Sequence, residues 1–424
     1  MTNPPFGFHP PGDEPEKRDQ SGGGEPDNPF AAMFGAGSSQ DLGAIFQRLG
    51  QLLSSDSGPV NWELAKDTAR RVVAERGDPM VTERDRRQVA ESMQLAEHWL
   101  DPVTSLPAGT TGAEAWQRAD WIEATLPTWQ RLVDPIAAQM SATMDQVLPQ
   151  EMQQTAGPLL SMMRQMGGVL FGMQAGQGLG ELAGEVISST DVGLPLVPGG
   201  RAALLPAGVA EFGAGLDLPA DEVRLYLALR EAAHQRLYAH VPWLRGYLES
   251  AIAAYAKGIK VDAQRLQDLV GSMDPTNPAA LEEALTSGMF EPETTPEQQA
   301  ALTRLETALA LVEGWVDEVV DAAAGDRLPS AAALRETVRR RRATGGPAEA
   351  TFATLVGLEL RPRRLRDAAA LWRALAEARG VDGRDAVWGH PDLLPTTADL
   401  DDPKGFVHRT ELDLSELDDD KPPE

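Results

Sequence analysis

The sequence predicts a mainly α fold of many helices, with one small β-hairpin or sheet near residues 190–213. Three observations carry this. Apolar residues recur with a helical period from about Asn61 to Arg379. The interruption at Thr190–Leu218 is rich in glycine and proline and holds short β-compatible pieces. Both ends of the chain lack a core pattern altogether.

In chain order, residues 1–37 are rich in Pro, Gly, Asp and Glu and read as a disordered arm. Residues 38–395 form the helical domain. Asp41–Ser54 has an amphipathic pattern. Asn61 is placed to cap WELAKDTARRVVAERG, and Thr82 to cap Glu83–Trp99, with Asp85 in the first turn. Helices are expected at 113–124, 126–146, 150–165 and 168–187. Leu194–Val197, Arg201–Leu205 and Val209–Phe212 are the β candidates. Helices resume at 220–240, 243–258, 278–286, 296–324, 330–343, 348–358 and 363–379. Residues 396–424 are acidic and read as a tail that touches the body through Phe406 and Val407.

Between Arg164 and Glu181 there is no charged residue, and Gly168, Gly172, Gly176, Gly180 and Gly184 recur every fourth position. Such a stripe lets helix backbones approach closely. Gln165, Gln174 and Gln177 interrupt it, and it falls short of the ~20 apolar residues of a membrane span, so it reads as a buried helix. The nine tryptophans are spread through the helical body and read as packing anchors.

Composition excludes whole classes of chemistry. The 424 residues include no cysteine, which removes disulfides, thiolate metal sites and cysteine nucleophiles. The N-terminus has no secretory pattern, so a cytoplasmic location is expected. A net charge of −26 opposes nucleic acid or anionic lipid as a partner. Arg335, Arg339–Arg342, Arg361, Arg363, Arg364 and Arg366 form a local basic region, read as paired within the molecule. No phosphate loop and no Gly-x-Ser-x-Gly elbow occurs.

The helix from Pro219 carries the chemistry. Pro219, Asp221 and Glu222 suit its start, and Pro242 ends it near His240. Within it, Arg230-Glu231-Ala232-Ala233-His234 has the form H-E-x-x-H with the first histidine replaced. In that pattern two histidines on one helix face hold zinc, and the glutamate polarises the bound water. By itself a Glu-x-x-His pair is also an ordinary surface contact.

The residues around the motif resemble a bacterial, mostly actinobacterial, zincin-like metallopeptidase family. The resemblance rests on VPWLRGYL after His234, ALVEGWVDEVV (310–320), GLELRPRRLRDAAALW (357–372) and WGHPDLLPTTADLDDP (388–403). It implies a zincin-like fold, zinc as the cofactor of active members, and peptides or proteins as substrates. It also implies Glu231 as general base, His234 as a metal ligand, and Glu313 of the Glu313-Gly314 pair as the third ligand.

Arg230 departs from this pattern, because a guanidinium has no lone pair and keeps its charge. It is expected to stand in for the metal as a fixed cation, paired with Glu313 or Glu231. On periodicity alone, Glu306, Glu313, Asp317 and Asp321 form a solvated stripe; Asp317 is also a candidate support for the site. His240 lies six residues beyond His234, on another helix face, and suits the helix dipole; it too is a candidate supporting residue, as is His390. Two function classes follow: a protein with a degenerate metal site and weak or no peptidase activity, serving as a structural or interaction module, or a zinc-dependent hydrolase using Glu231.

Overall fold

The computed structural model describes residues 58–147, 157–258, 295–343, 351 and 364–409, with no side-chain account of 140–164. The expected arm at 1–37, the helices at 41–54 and 278–286, nearly all of 348–358, and the tail beyond Arg409 lie outside the described residues.

Among the described residues the first helix, α1 (Trp62–Arg76), starts where Asn61 accepts from the Leu64 amide at 3.0 Å. In α2 (Glu83–Leu100), Thr82 and Asp85 cap each other's backbone reciprocally. After strand β1 (Gly112–Ala115) come the long helices α3 (Arg118–Val147) and α4 (Gly157–Glu185). Strand β2 (Arg201–Leu204) leads into the short α5 (Pro206–Gly213). The motif helix α6 (Ala220–His240), α7 (Pro242–Lys257), α8 (Pro296–Ala324) and α9 (Ala331–Ala343) follow. Helix α10 (Leu365–Asp385) bends at Gly380, whose φ of 72° suits glycine. The described chain closes with α11 (Thr397–Asp401) and α12 (Pro403–Arg409).

The fold is mainly α with one small sheet, as the sequence predicts, but the sheet is not a hairpin. β1 and β2 pair in parallel, with Gly112 opposite Arg201 and Ala115 opposite Leu204. Ser188 adds an antiparallel bridge to Leu204. Leu194–Val197 is irregular, and Val209–Phe212 is helical within α5. The expected helix start at 113 was wrong for a related reason: residues 112–115 are the partner strand, ~90 positions upstream of β2, and pairing that distant leaves no local signature. Pro127 and Pro135 do not split α3.

The glycine stripe of α4 packs on α1. A Cβ at Gly172 would lie 2.5 Å from the Asn61 carbonyl oxygen, and one at Gly176 2.5 Å from that of Ala65. The Asn61 amide also donates to the Gly168 carbonyl at 3.0 Å. Among the described residues no helix is long and apolar enough to cross a membrane. Trp121, Trp129, Trp315 and Trp372 are fully buried, and Trp372 stacks on Trp388 at 5.1 Å. Leu400 and Phe406 are buried as well, so the acidic stretch expected from Thr396 begins inside the packed body.

Candidate functional site

Helix α6 is enclosed on nearly every side, and its polar residues Arg230, Glu231, His234, Gln235 and Arg236 are all buried. Buried charges must be paired or hydrogen-bonded, so each has a defined partner. Arg236 anchors the helix to α2, donating to Glu97 Oε2 at 2.7 Å, to Asp101 Oδ1 at 2.7 Å and to the Leu106 carbonyl at 3.0 Å.

Glu313 reaches α6 from the facing helix α8 and is 1% exposed. Its neighbour explains how: a Cβ at Gly314 would lie 2.6 Å from Ala368 Cβ, so the glycine lets α10 press against α8. Glu313 and Asp317 are therefore core residues, which corrects the solvated-stripe expectation for both.

Three donors converge on the Glu313 carboxylate. Arg230 Nη2 is 2.6 Å from Oε2. Arg342 Nη2, from α9, is 2.8 Å from Oε1. His234 Nε2 is 3.1 Å from Oε1, while its Nδ1 faces the Arg230 carbonyl at 2.8 Å. Both imidazole nitrogens thus face oxygen atoms. Burial by itself would raise the Glu313 pKa, but Arg342, His234 and Arg230 outweigh it and hold the carboxyl well below the usual range. Tyr226, buried beside Arg230, is pushed up to about 12.

The cluster extends outward along α9. Arg339 pairs with Asp317 at 2.5 Å and Arg341 with Asp191 at 2.9 Å. Arg230 Nη1 is 3.9 Å from Asp317 Oδ1, an electrostatic contact without a hydrogen bond. The segment before β2 closes the site against Glu313: Gly193 has φ 78°, and a Cβ there would lie 3.0 Å from Glu313 Oε1. Tyr238 donates its hydroxyl to the Gly193 carbonyl at 2.7 Å.

Glu231 is fully buried and faces a separate set of donors. The Ser189 hydroxyl and Gln235 Nε2, the latter at 2.9 Å, donate to Oε1. The Thr190 amide at 3.1 Å and the Thr190 hydroxyl at 2.5 Å donate to Oε2.

A family model for zincin-like metallopeptidases matches residues 60–407. The chain belongs to that family. Among solved structures it is similar to that of a candidate hydrolase with a novel fold from Chloroflexus aurantiacus, with a TM-score of 0.59 and 22% identity over 83% of this chain and 99% of that one. At that identity the likeness concerns the fold. No curated protein matches the chain.

Within this zincin-like frame the structure brings Arg230, His234, Glu313 and Asp317 together and sets Glu231 in the adjoining cage. His240 is not part of it: the residue is exposed, and its Nε2 lies 3.4 Å from the Ala108 carbonyl. His390 is exposed and accepts from the Asp392 amide at 3.2 Å, a local cap. Sequence reasoning missed Arg342, Ser189, Thr190 and Gln235. The arginine run on α9 was the available signal, and it does pair internally, but nothing local identifies Glu313 and Asp317 as its partners.

Proposed function

We propose that this zincin-like chain has exchanged its metal centre for a guanidinium–carboxylate centre and acts through binding or structural support, inside the cell, with weak or no peptidase activity. One observation carries the reading: the Arg230 guanidinium sits on Glu313 at 2.6 Å, beside His234, where the family pattern has a dication and its first histidine.

Zinc does not fit the donor set. A catalytic zinc uses three protein ligands and an open position. Arg230 offers no lone pair. Glu313 Oε2 is engaged by Arg230, and Oε1 by Arg342 and His234. Two guanidinium groups supply the two positive charges that a dication would bring, so Glu313 is neutralised without a metal. Glu231, the general-base position, has both oxygens committed to Ser189, Thr190 and Gln235. A base needs a free lone pair within reach of the water it activates.

The convergence of His234 and Glu313 to 3.1 Å favours the second reading, a zinc-dependent peptidase with Glu231 as base. Metal analysis of the purified chain separates the two. The proposal expects well under one zinc per chain, and no peptide cleavage sensitive to a chelator and to Glu231→Gln. One tightly held zinc per chain would overturn it.

A further inference from the structure

A cavity adjoins the Glu231 cage. It holds about 350 Å³ between the last turns of α6, the start of α7 and the segments around Thr111 and Gly199. That volume is in the range of small-ligand sites. Thr190 and Gln235, which hold Glu231, also line this cavity.

The charge that lines the cavity is positive, in a chain of net charge −26. Its one charged lining residue is Arg245, and no acidic side chain lines it among the described residues. Arg245 Nη2 donates to the Val197 carbonyl at 3.1 Å, and the guanidinium makes no ion pair among the described residues. Its nearest charged neighbours are Glu249 and Arg131, which pair with each other at 3.4 Å. A guanidinium has five N–H donors, so most of this one's capacity is unused. Burial lowers the Arg245 pKa, and the opposing pull of Glu249 does not offset it. Gly199 and Gly200, at φ 80° and 68°, form a wall without side chains, and the Thr111 hydroxyl lies 3.4 Å from the carbonyls of both.

We infer that this cavity is a binding site for a small organic monocarboxylate, held by the Arg245 guanidinium. A single guanidinium matches one carboxylate in charge and in its planar two-point geometry, whereas a phosphate dianion would call for more cations. The inference does not depend on the metal question, because neither Glu313 nor Arg230 lines the cavity.

Calorimetric titration of the full chain in chelator tests it, with hippurate and N-acetyl-trialanine as probes and their C-terminal amides as controls. Both acids are expected to bind more tightly than their amides, and the tighter of the two indicates a free small acid or a peptide C-terminus. Arg245→Gln should weaken acid binding by about 10-fold to 100-fold, the range for a charged hydrogen bond. Ala239→Trp, which fills the cavity from an exposed position on α6 and leaves Arg245 in place, should abolish binding with an unchanged circular dichroism spectrum. No binding of either acid at millimolar concentration would overturn the inference. So would equal binding of acid and amide, or acid binding indifferent to both substitutions.

Discussion

Replacing Glu313 with glutamine changes one atom and exposes the energetics of the whole centre. The carboxylate is 1% exposed, and its two guanidinium partners are 7% and 15% exposed. At charge-centre separations of ~4 Å and an effective dielectric constant of ~20, each pair contributes about 4 kcal/mol of attraction. Desolvation offsets much of this in the intact protein. In Glu313→Gln that cost remains while the attraction is gone, leaving Arg230 with only its 3.9 Å contact to Asp317 and Arg342 with only the Asp191 carbonyl. Removing one partner of a buried pair typically costs about 3–5 kcal/mol. The amide is also a poor substitute geometrically, because its NH₂ must face one of the incoming donors.

Chemical denaturation at pH 7 should therefore show Glu313→Gln less stable by about 3–5 kcal/mol. The pH dependence gives a second check. A carboxyl whose folded pKa is depressed stabilises above its unfolded value of ~4.3, and the contribution fades as pH falls toward the folded value. The gap between wild type and variant should be constant above about pH 5 and shrink by roughly 1.4 kcal/mol per unit below about pH 4. A variant within about 1 kcal/mol of wild type at pH 7, or a gap that widens on acidification, would refute the argument.

Three further outcomes are expected. Arg230→His alone should gain little zinc affinity by calorimetry, because Arg342 still holds Glu313 Oε1 at 2.8 Å; Arg230→His with Arg342→Gln should bind zinc tighter than the single variant by about tenfold to a hundredfold. Gly193→Ala should lower stability by about 1–3 kcal/mol, since a positive φ and a carboxylate oxygen 3.0 Å from the new Cβ both oppose it. Gly176→Ala sets two effects against each other: helix propensity gains about 1 kcal/mol, while a methyl 2.5 Å from the Ala65 carbonyl oxygen costs about 1–3 kcal/mol. A net loss in denaturation midpoint is expected, and a more stable variant would mean that α1 and α4 separate easily.

Local signals were sufficient for much of the fold. The caps at Asn61 and Thr82, the proline that starts α7 and the period of α8 are decided within a few residues of chain, so they were legible. The glycine stripe announced a close helix contact without naming α1 as the other side. Arg230 at the first position of the Glu-x-x-His motif was equally plain, because ligand chemistry belongs to the residue type. What the chain alone could not decide was pairing over distance: which strand joins β2, whether Glu313 faces water or core, and which carboxylates receive the arginines of α9. Those outcomes depend on how far each side chain is removed from water, and desolvation is fixed only when α6, α8, α9 and the 186–193 segment close on one another. An amphipathic period marks one face of α8 as wet, and the packing of α6 and α9 on that same face makes it dry.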